Sequence, residues 1–406
     1  MKDREILRRL ASQYAQYASD PGNKENEKLF RAVNGKRMIR PVVLIDEIPW
    51  NQLSSEDEMK MQCEGEMERA VEWFLLSQMY RYRHFPCDMI LTPYIPWGRH
   101  IKIGSFGVEI HENTLAADRG NNIVSHAYID QLPDEASIEK LHAPTVEVDE
   151  EADRRDEERL NDLIGDILPV RMTGLSYAGF YEPWDDIAMW RGAEKLLWDL
   201  IDRPEYTHML MEKLLSVRME HFDRLEKMNL LDSCGPYMHC TAGLTDDLDT
   251  SGQITRKNIW GRGAAQIFAS VSPRMTEEFE IDYAKRFFEG FGLVYYGCCE
   301  PLDKKIDIVK KLPNFRKVSI TPWADVDEAA DKLGNDYVLA YKPNPAFVAT
   351  ETLDESAIEH EIRRALNACR RNGISCEFTL KDISSIHRNP KNLEKWAQIA
   401  MNIVTE

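Results

Sequence analysis

The sequence has no long apolar run and no concentration of basic residues. No stretch approaches the roughly 18 apolar residues that a helix needs to cross a bilayer, and the first ten residues, MKDREILRRL, are charged rather than apolar. Lys and Arg total 51 against 69 Asp and Glu, which gives a net charge of −18. We therefore expect a cytoplasmic protein whose partners include neither nucleic acid nor a membrane.

Cysteine is sparse, and several common cofactor motifs are missing. Eight cysteines in 406 residues do not make a disulfide scaffold, so we expect reduced thiols. The sequence contains neither GxGxxG nor GxxxxGKS/T, the glycine-rich loops that bind dinucleotides and nucleotide phosphates, and neither CxxC nor HExxH. A Rossmann or P-loop protein is therefore not predicted, and a metal site would have to take its ligands from distant parts of the chain.

Strand-like and helix-like stretches alternate regularly in the second half of the chain, which favours parallel pairing. A helix is also predicted from about residue 55 to 83, with Ser54 or Ser55 as its cap. The nine candidate strands lie in RPVVLIDEIPW, CDMILTPYI, LPVRMTG, GPYMHCTAG, WGRGAAQIF, LVYYGCCEP, RKVSITPWAD, YVLAYKPNPA and CEFTLKDIS. This count is compatible with a (β/α)8 barrel plus one extra segment, and it only weakly disfavours an open doubly wound sheet.

Ionisable and aromatic residues follow six of these strands. Ligands of barrels and of open α/β sheets bind beyond the carboxyl ends of the strands, whereas a purely structural strand end more often carries Gly, Asn or Ser. The recurrence therefore predicts an active site at one rim. The six clusters are Asp46, Glu47 and Trp50; His239 and Cys240; Cys298, Cys299 and Glu300; Trp323 and Asp325; Lys342 and Asn344; and Lys381 and Asp382.

The charged residues of these clusters are candidates for catalysis. Carboxylates that follow a buried strand are costly unless they are paired or solvated in a pocket, so they are predicted as a general base or as acceptors of a substrate hydroxyl. The alternatives are turn capping, a salt bridge of Lys342, and mutual pairing of Lys381 with Asp382. The predicted catalytic set is Asp46, Glu47, Glu300, Lys342, Lys381 and Asp382.

Imidazole, thiol and carboxylate groups at two of the strand ends predict a zinc site. The predicted ligands are His239, Cys298, Cys299 and Glu300. Neighbouring residues of a regular strand point to opposite faces, so both cysteines can serve only if the strand ends in a bulge or a turn. The alternative is that one of the two cysteines packs in the core as a small hydrophobe.

Tryptophans near the strand ends predict a pocket for a flat or apolar substrate. The predicted substrate-binding residues are Trp50, His239, Trp260, Trp323 and Asn344. The alternative reading is that tryptophan buries a large area at the rim of a barrel whatever the function.

Three stretches resemble the uroporphyrinogen decarboxylase superfamily: RPVVLIDEIPW, the long run from IWGRGAAQIF to YKPNPA, and EFTLKDISSIHRNPKNLEKWAQIA. The similarity is densest from residue 258 to the end. Within the superfamily, these stretches look most like the divergent branch found beside corrinoid-dependent methyltransferase systems in anaerobes. The resemblance implies a (β/α)8 TIM barrel over residues 41–406, with an N-terminal helical extension at 1–40 and an inserted β excursion at about 95–160.

The resemblance implies one of two chemistries. Decarboxylases of the superfamily bind an anionic tetrapyrrole with arginines of an RQAGRY-like segment, whereas this chain has IDEIPW there. The methyltransferase branch uses a barrel-bound zinc, often held by an HxC pair and a distant Cys, and this chain has GCCE in the corresponding strand. Cys298 or Cys299 with Glu300 are then the nearest equivalents of the ligands, and His239 is the third candidate.

The expected function is zinc-assisted transfer of a methyl group between a small methylated molecule, such as a methoxylated aromatic or a methylamine-like compound, and a corrinoid. Because the sequence lacks a DxHxxG signature, the corrinoid is expected on a partner carrier protein. The alternative is a metal-free decarboxylase or lyase acting on a small acid. A non-enzymatic barrel is disfavoured by the six rim clusters, and a homodimer is left open.

Overall fold

The computed structural model describes residues 2–53, 57–116 and 124–406. Within these residues the strands are β1, Val42–Ile45; β2, Ile95–Gly98; β3, Ile101–Ile103; β4, Glu112–Ala116; β5, Val124–Tyr128; β6, Val146–Val148; β7, Val170–Thr173; β8, Phe180–Tyr181; β9, Tyr237–Met238; β10, Thr241–Ala242; β11, Trp260–Gly263; β12, Leu293–Tyr296; β13, Phe315–Ile320; β14, Val338–Tyr341; and β15, Ser375–Leu380. The α-helices are α1, Lys2–Ala18; α2, Pro21–Asn34; α3, Glu66–His84; α4, Glu135–Ile138; α5, Glu150–Leu160; α6, Pro183–Arg191; α7, Ala193–Asp202; α8, Pro204–Lys227; α9, Pro273–Thr276; α10, Asp282–Phe287; α11, Ile306–Val309; α12, Val326–Leu333; α13, Glu355–Arg371; and α14, Lys391–Thr405.

The chain has a mixed α/β fold around a parallel sheet of seven strands, in the order β1-β15-β14-β13-β12-β11-β8. The strands VVLI, LVYY and VLAY are buried throughout, as expected for parallel strands covered on both faces. These apolar runs were the strongest strand signals in the sequence. The structure confirms them as members of one sheet.

Three predicted strands do not belong to this sheet. The stretch GPYMHCTAG forms a short antiparallel hairpin, in which β9 and β10, of two residues each, pair with each other. The stretch LPVRMTG contains β7, which pairs with β2, but β2 begins only at Ile95, the last residue of CDMILTPYI. The sheet instead includes the short strand β8, which pairs with β11 and was not predicted.

The β9–β10 hairpin packs against β1 at one edge of the sheet and against β11 and β12 near the other edge. Ala242 lies in one apolar cluster with Val42 and Leu44 of β1. Met238 lies in another with Trp260 of β11 and with β12. This short hairpin therefore contacts strands near both edges of the sheet.

A buried polar network ties the hairpin to the sheet. Lys317 on β13 and Glu377 on β15 form a fully buried ion pair. The Lys317 Nζ also donates to the Thr241 Oγ1 at 2.8 Å and to the Ala242 carbonyl at 2.9 Å, and the Thr241 hydroxyl donates to Glu377. Because a buried charge needs all of its hydrogen-bonding partners, the hairpin and the two strands fix one another.

The remaining elements lie outside the sheet. Helices α1 and α2 precede it, and β3 with β6 and β4 with β5 form antiparallel pairs within the predicted excursion. Residues 117–123 of that excursion lie outside the described part of the chain, as do Ser54 and Ser55, the predicted caps of α3. This helix begins at Glu66, later than predicted. Among the described helices, none has the length and apolar character needed to span a membrane.

Candidate functional site

Ionisable side chains from five segments meet beyond the carboxyl ends of β1, β12, β14 and β15, around the turn of the β9–β10 hairpin. Hydrogen bonds and ion pairs link neighbouring members of this rim cluster. Its members are Asp46, Glu47, His239, Cys240, Cys298, Cys299, Lys342, Lys381 and Asp382. The structure therefore brings together eight of the residues that the sequence analysis assigned to a site, with Cys240 in addition.

Three members of the rim cluster have a left-handed backbone, although none is glycine. The φ angles are 49° for Glu47, 54° for Cys240 and 55° for Asp382. Such conformations are sparsely populated and concentrate at functional sites. Here they are held from within the cluster, because the Asp382 N–H donates to the Glu47 Oε2 at 2.8 Å and the Cys240 N–H donates to the Asp46 Oδ2 at 3.1 Å.

Both adjacent cysteines reach the same lysine. The Lys381 Nζ lies 3.3 Å from the Cys298 Sγ and 3.4 Å from the Cys299 Sγ, and the two sulfur atoms are 3.6 Å apart. The regular strand ends at Tyr296, and Gly297 then adopts a φ of 102°, which non-glycine residues rarely adopt. The turn that the sequence analysis required is therefore present.

Opposite charges surround these thiols. Burial opposes the charge on Lys381, but the neighbouring Cys298 sulfur and Asp382 carboxylate raise the pKa of the ammonium above its usual value. The hydrogen bond from the Cys299 thiol, with smaller contributions from His239 and Lys381, lowers the pKa of Cys298 well below that of a free thiol. The same hydrogen bond raises the pKa of Cys299. One of the two sulfur atoms is thus prepared to carry negative charge.

Glu47, His239 and Cys240 form a group of three metal-ligating side chains. Their ligand atoms lie within 4.8 Å of one another, and the His239 Nε2 is 3.8 Å from the Glu47 Oε1. Zinc binds nitrogen at about 2.0 Å and thiolate sulfur at about 2.3 Å, so two ligands of a tetrahedral ion are about 3.5 Å apart. This donor set fits zinc and leaves a fourth position for a substrate or for Cys298, whose thiol is within reach of His239.

Glu300 occupies a different place from the other predicted ligands. Its side chain is buried, and its two oxygens accept the backbone N–H groups of Ala265 at 3.1 Å and of Cys298 at 3.0 Å. Burial raises the pKa of this carboxyl to about 7. Glu300 therefore stabilises the loop that carries Cys298. Of the four predicted zinc ligands, only His239 belongs to the group formed with Glu47 and Cys240.

Two predicted tryptophans lie beside the rim cluster. Trp323 is 67% exposed and, with Cys298, Cys299 and Lys381, lines a cavity of about 110 Å³. Trp50 lines a cavity of about 370 Å³ together with Glu47. Both positions suit contact with a ligand.

Two other predicted substrate-binding residues lie elsewhere. Trp260 is the first residue of β11, and its buried indole N–H donates to the Gly243 carbonyl at 2.9 Å, at the amino end of the strand. Asn344 caps the 3-10 helix Pro345–Ala349, where its side chain accepts the Ala346 N–H at 3.0 Å. Both residues have structural partners, and the structure does not bring them into the rim cluster.

Two charged residues near the cluster were not predicted from the sequence. Arg262 on β11 is buried and donates to Glu182, which directly follows β8. The guanidinium of Arg262 also lies 4.8 Å from the ring centroid of Phe180. An arginine inside the run WGRG was the available signal, but it could be interpreted only once β8 was recognised as the neighbouring strand.

Comparison with known proteins gives structural similarity without a match in sequence. No protein-family model matches the chain, and no curated protein matches its sequence. Among solved structures, the chain is similar to a methyltransferase from Methanosarcina mazei, with 10% sequence identity and a TM-score of 0.48 over 93% of this chain and 98% of that one. A similarity this distant carries no argument about the reaction.

Proposed function

We propose that this protein is a zinc-assisted methyltransferase that moves a methyl group between a small methylated substrate, for example a methoxylated aromatic, and a corrinoid carried by a partner protein. The rim cluster would be its active site. The observation that carries the proposal is the group Glu47, His239 and Cys240 beside the Cys298 thiol, at the carboxyl ends of parallel strands.

The proposal includes closure of the seven-stranded sheet into a (β/α)8 barrel of the uroporphyrinogen decarboxylase type. His239 supports closure, because its Nε2 is 3.8 Å from Glu47, beyond β1, and its ring is 6.5 Å from that of Phe180 on β8. Side chains from beyond β1 and from β8, the two edge strands, thus lie near one imidazole ring. The Asp88 N–H donates to the Val43 carbonyl at 2.9 Å, which supports an eighth strand in the segment around Asp88.

Glu47, His239 and Cys240 would hold the zinc ion. When bound, zinc acts as a Lewis acid that polarises the heteroatom from which a methyl group departs. The Asp46 carboxylate accepts the backbone N–H of Cys240, and Lys342 donates to the Cys240 carbonyl. These two contacts fix the turn that carries two of the three ligands.

Lys381 and Trp323 would act on the substrate side of the site. Lys381 holds both thiols in one geometry and balances the negative charge of the Cys298 sulfur. The exposed indole of Trp323 forms one apolar wall of the cavity next to the thiols.

Zinc content tests the metal part of the proposal. We expect the purified wild-type protein to bind one equivalent of zinc, and His239→Ala and Cys240→Ser to lower zinc affinity by at least about tenfold. Cys87→Ser is the matched control, because Cys87 lies at the end of α3 and outside the rim cluster. Equal zinc binding by all of these proteins would contradict the assigned ligands.

Consumption of free cob(I)alamin, followed by its absorbance, tests the reaction. We expect a panel of methoxylated aromatics and methylated amines to contain a donor that the zinc-loaded enzyme demethylates and the His239→Ala variant does not. Absence of zinc from the wild-type protein, together with release of carbon dioxide from a small acid, would instead support the metal-free lyase.

A further inference from the structure

A second cavity lies against the rim cluster: Asp46 and Glu47 line it, but neither of the two adjacent cysteines does. Its volume is about 370 Å³, within the range typical of small-molecule sites. Three kinds of group line it: the carboxylates of Asp46 and Glu47, the rings of Trp50, Trp73 and Phe74, and the guanidinium of Arg81.

We propose that this cavity binds a quaternary ammonium compound that also carries a carboxylate, the betaine class of molecule, as the methyl donor. The role as methyl donor rests on the corrinoid transfer of the proposed function and not on its zinc, because a quaternary nitrogen has no lone pair that a metal could polarise. Binding of the compound rests on neither. On transfer, one carbon–nitrogen bond breaks, both of its electrons stay on nitrogen to give a tertiary amine, and the methyl group passes to the cobalt(I) of the partner's corrinoid.

The aromatic walls match the cationic end of such a ligand. The rings of Trp50 and Trp73 both line the cavity and contact each other edge to face, with centroids 5.4 Å apart and planes at 78°. A quaternary ammonium group is bulky, apolar at its surface and positively charged, and indole faces attract it more strongly than other rings do. Trp73 is 37% exposed, which leaves ring surface for a ligand.

The carboxylates supply negative charge without needing a hydrogen-bond donor from the ligand. The Asp46 oxygens already accept the backbone N–H groups of Glu47 at 2.9 Å and of Cys240 at 3.1 Å. The Glu47 Oε2 accepts the Asp382 N–H. A quaternary ammonium has no N–H to donate, so it loses nothing at acceptors that are already occupied.

Arg81 matches the carboxylate end of the ligand. One of its nitrogens donates to the Ile45 carbonyl at 2.8 Å, but within the described residues it forms no ion pair with an acidic side chain. A guanidinium has five N–H donors in a fork that suits a carboxylate. Arg81 also lines an adjoining cavity of about 420 Å³, which gives longer carboxylates room to extend.

Isothermal titration calorimetry on the metal-free full-length protein tests the binding. The probes are glycine betaine and its carbon isostere 3,3-dimethylbutanoate, which has the same shape and carboxylate but lacks the positive charge. We expect betaine to bind at least about tenfold more tightly. Equal affinity of the two probes, or no detectable binding of betaine, would overturn the proposal.

Variants locate the binding to the cavity. Trp73→Leu should weaken betaine binding about tenfold or more. Trp198→Leu is the matched control and should leave the affinity unchanged, because Trp198 is an exposed tryptophan on α7. Arg81→Met should weaken binding of betaine but not of tetramethylammonium, which has no carboxylate. Loss of both ligands with a normal circular dichroism spectrum would contradict the role given to Arg81.

The two proposals fail separately. Betaine binding to the metal-free protein without methyl transfer to cob(I)alamin would leave the ligand class standing and remove the proposed reaction. Methyl transfer from a methoxylated aromatic without betaine binding would leave the proposed reaction standing and remove the proposed ligand class.

Discussion

Lys317 and Glu377 form an ion pair with an Nζ–Oε2 distance of 3.0 Å, and neither side chain has any exposed surface. The pair lies on β13 and β15, directly beneath the hairpin that presents His239 and Cys240. Burial lowers the pKa of Lys317 to about 8, against the opposing effect of Glu377. Burying the charged pair therefore costs desolvation energy. The hydrogen bonds from Lys317 to Thr241 and Ala242 position the hairpin.

Removing one charge of this pair should destabilise the protein strongly. We expect Lys317→Met or Glu377→Gln to lower the free energy of unfolding by about 3–5 kcal/mol, because each leaves an uncompensated group in the interior. The double variant should cost less than the sum of the two single variants. Urea denaturation measures all three.

Lys285→Met is the surface control for this experiment. Lys285 pairs with Asp282 at 2.7 Å on the exterior of α10, and its loss should cost less than about 1 kcal/mol. Single variants of the buried pair that were no more costly than this control would refute the positioning role.

Much of the central sheet could be predicted from the sequence, because its strands are continuous apolar runs bounded by polar residues. VVLI and VLAY show this pattern clearly. Strand β8 has only two residues, too few for any periodicity. The stretch GPYMHCTAG has the composition of a strand, but Thr241 binds Glu377 far along the chain, and no local pattern reveals that contact.

The rim cluster was predictable to the extent that strand ends share one edge of a sheet. That rule alone brought Glu47, His239 and Lys381 into one candidate site. It failed for Glu300 and Asn344, which also follow strands. Their side chains bind backbone N–H groups, and the direction of a side chain beyond a strand depends on backbone turns that the sequence does not specify.

The protein should lose stability as the pH rises through the neutral range, in part because of Glu361 on α13. Its carboxylate accepts the Asn344 N–H at 3.1 Å, and burial raises its pKa to about 7. The folded state therefore holds a proton more tightly than the unfolded chain, for which the ordinary value is 4.5. Stability is greatest below the unfolded pKa and falls as the pH approaches the folded one.

Comparison with Glu361→Gln isolates this contribution, since glutamine does not titrate. Between about pH 5 and about pH 8, the wild-type protein should lose up to about 3 kcal/mol relative to the variant. Urea denaturation at several pH values gives the difference. A difference that stays constant with pH, or that grows in favour of the wild-type protein at high pH, would show that this carboxyl is not the source.

Gly297 should be essential for the position of the two adjacent cysteines. A Cβ at this residue would lie 2.5 Å from the Leu302 Cδ1 and 3.2 Å from the Ser319 Cβ, in addition to the strain of a φ of 102°. We expect Gly297→Ala to lower the free energy of unfolding by about 2–4 kcal/mol.

Gly334→Ala separates the two causes. Gly334 has a φ of 67°, but a Cβ there would meet nothing within 4 Å, so only the backbone strain of about 1 kcal/mol should appear. Urea denaturation of both variants gives the comparison. Equal costs would mean that the crowding around Gly297 is relieved without a penalty.

Lys342 should affect zinc binding without touching zinc. Its buried ammonium donates to the Cys240 carbonyl, which fixes the turn between His239 and Thr241. Loss of such an outer contact commonly lowers metal affinity about tenfold or more, so we expect that effect from Lys342→Met. Titration with a chromophoric zinc chelator measures the affinity, and circular dichroism monitors the fold.

Lys305→Met is the matched control for this last experiment. Lys305 is also buried and donates to a carbonyl, that of Phe268, at 2.6 Å, but it holds no part of the hairpin. If both variants lost zinc affinity equally, a general effect of removing a buried lysine would explain the result. A loss confined to Lys342→Met would tie the affinity to the hairpin turn, because the two substitutions remove the same kind of hydrogen bond and differ in the segment that it holds.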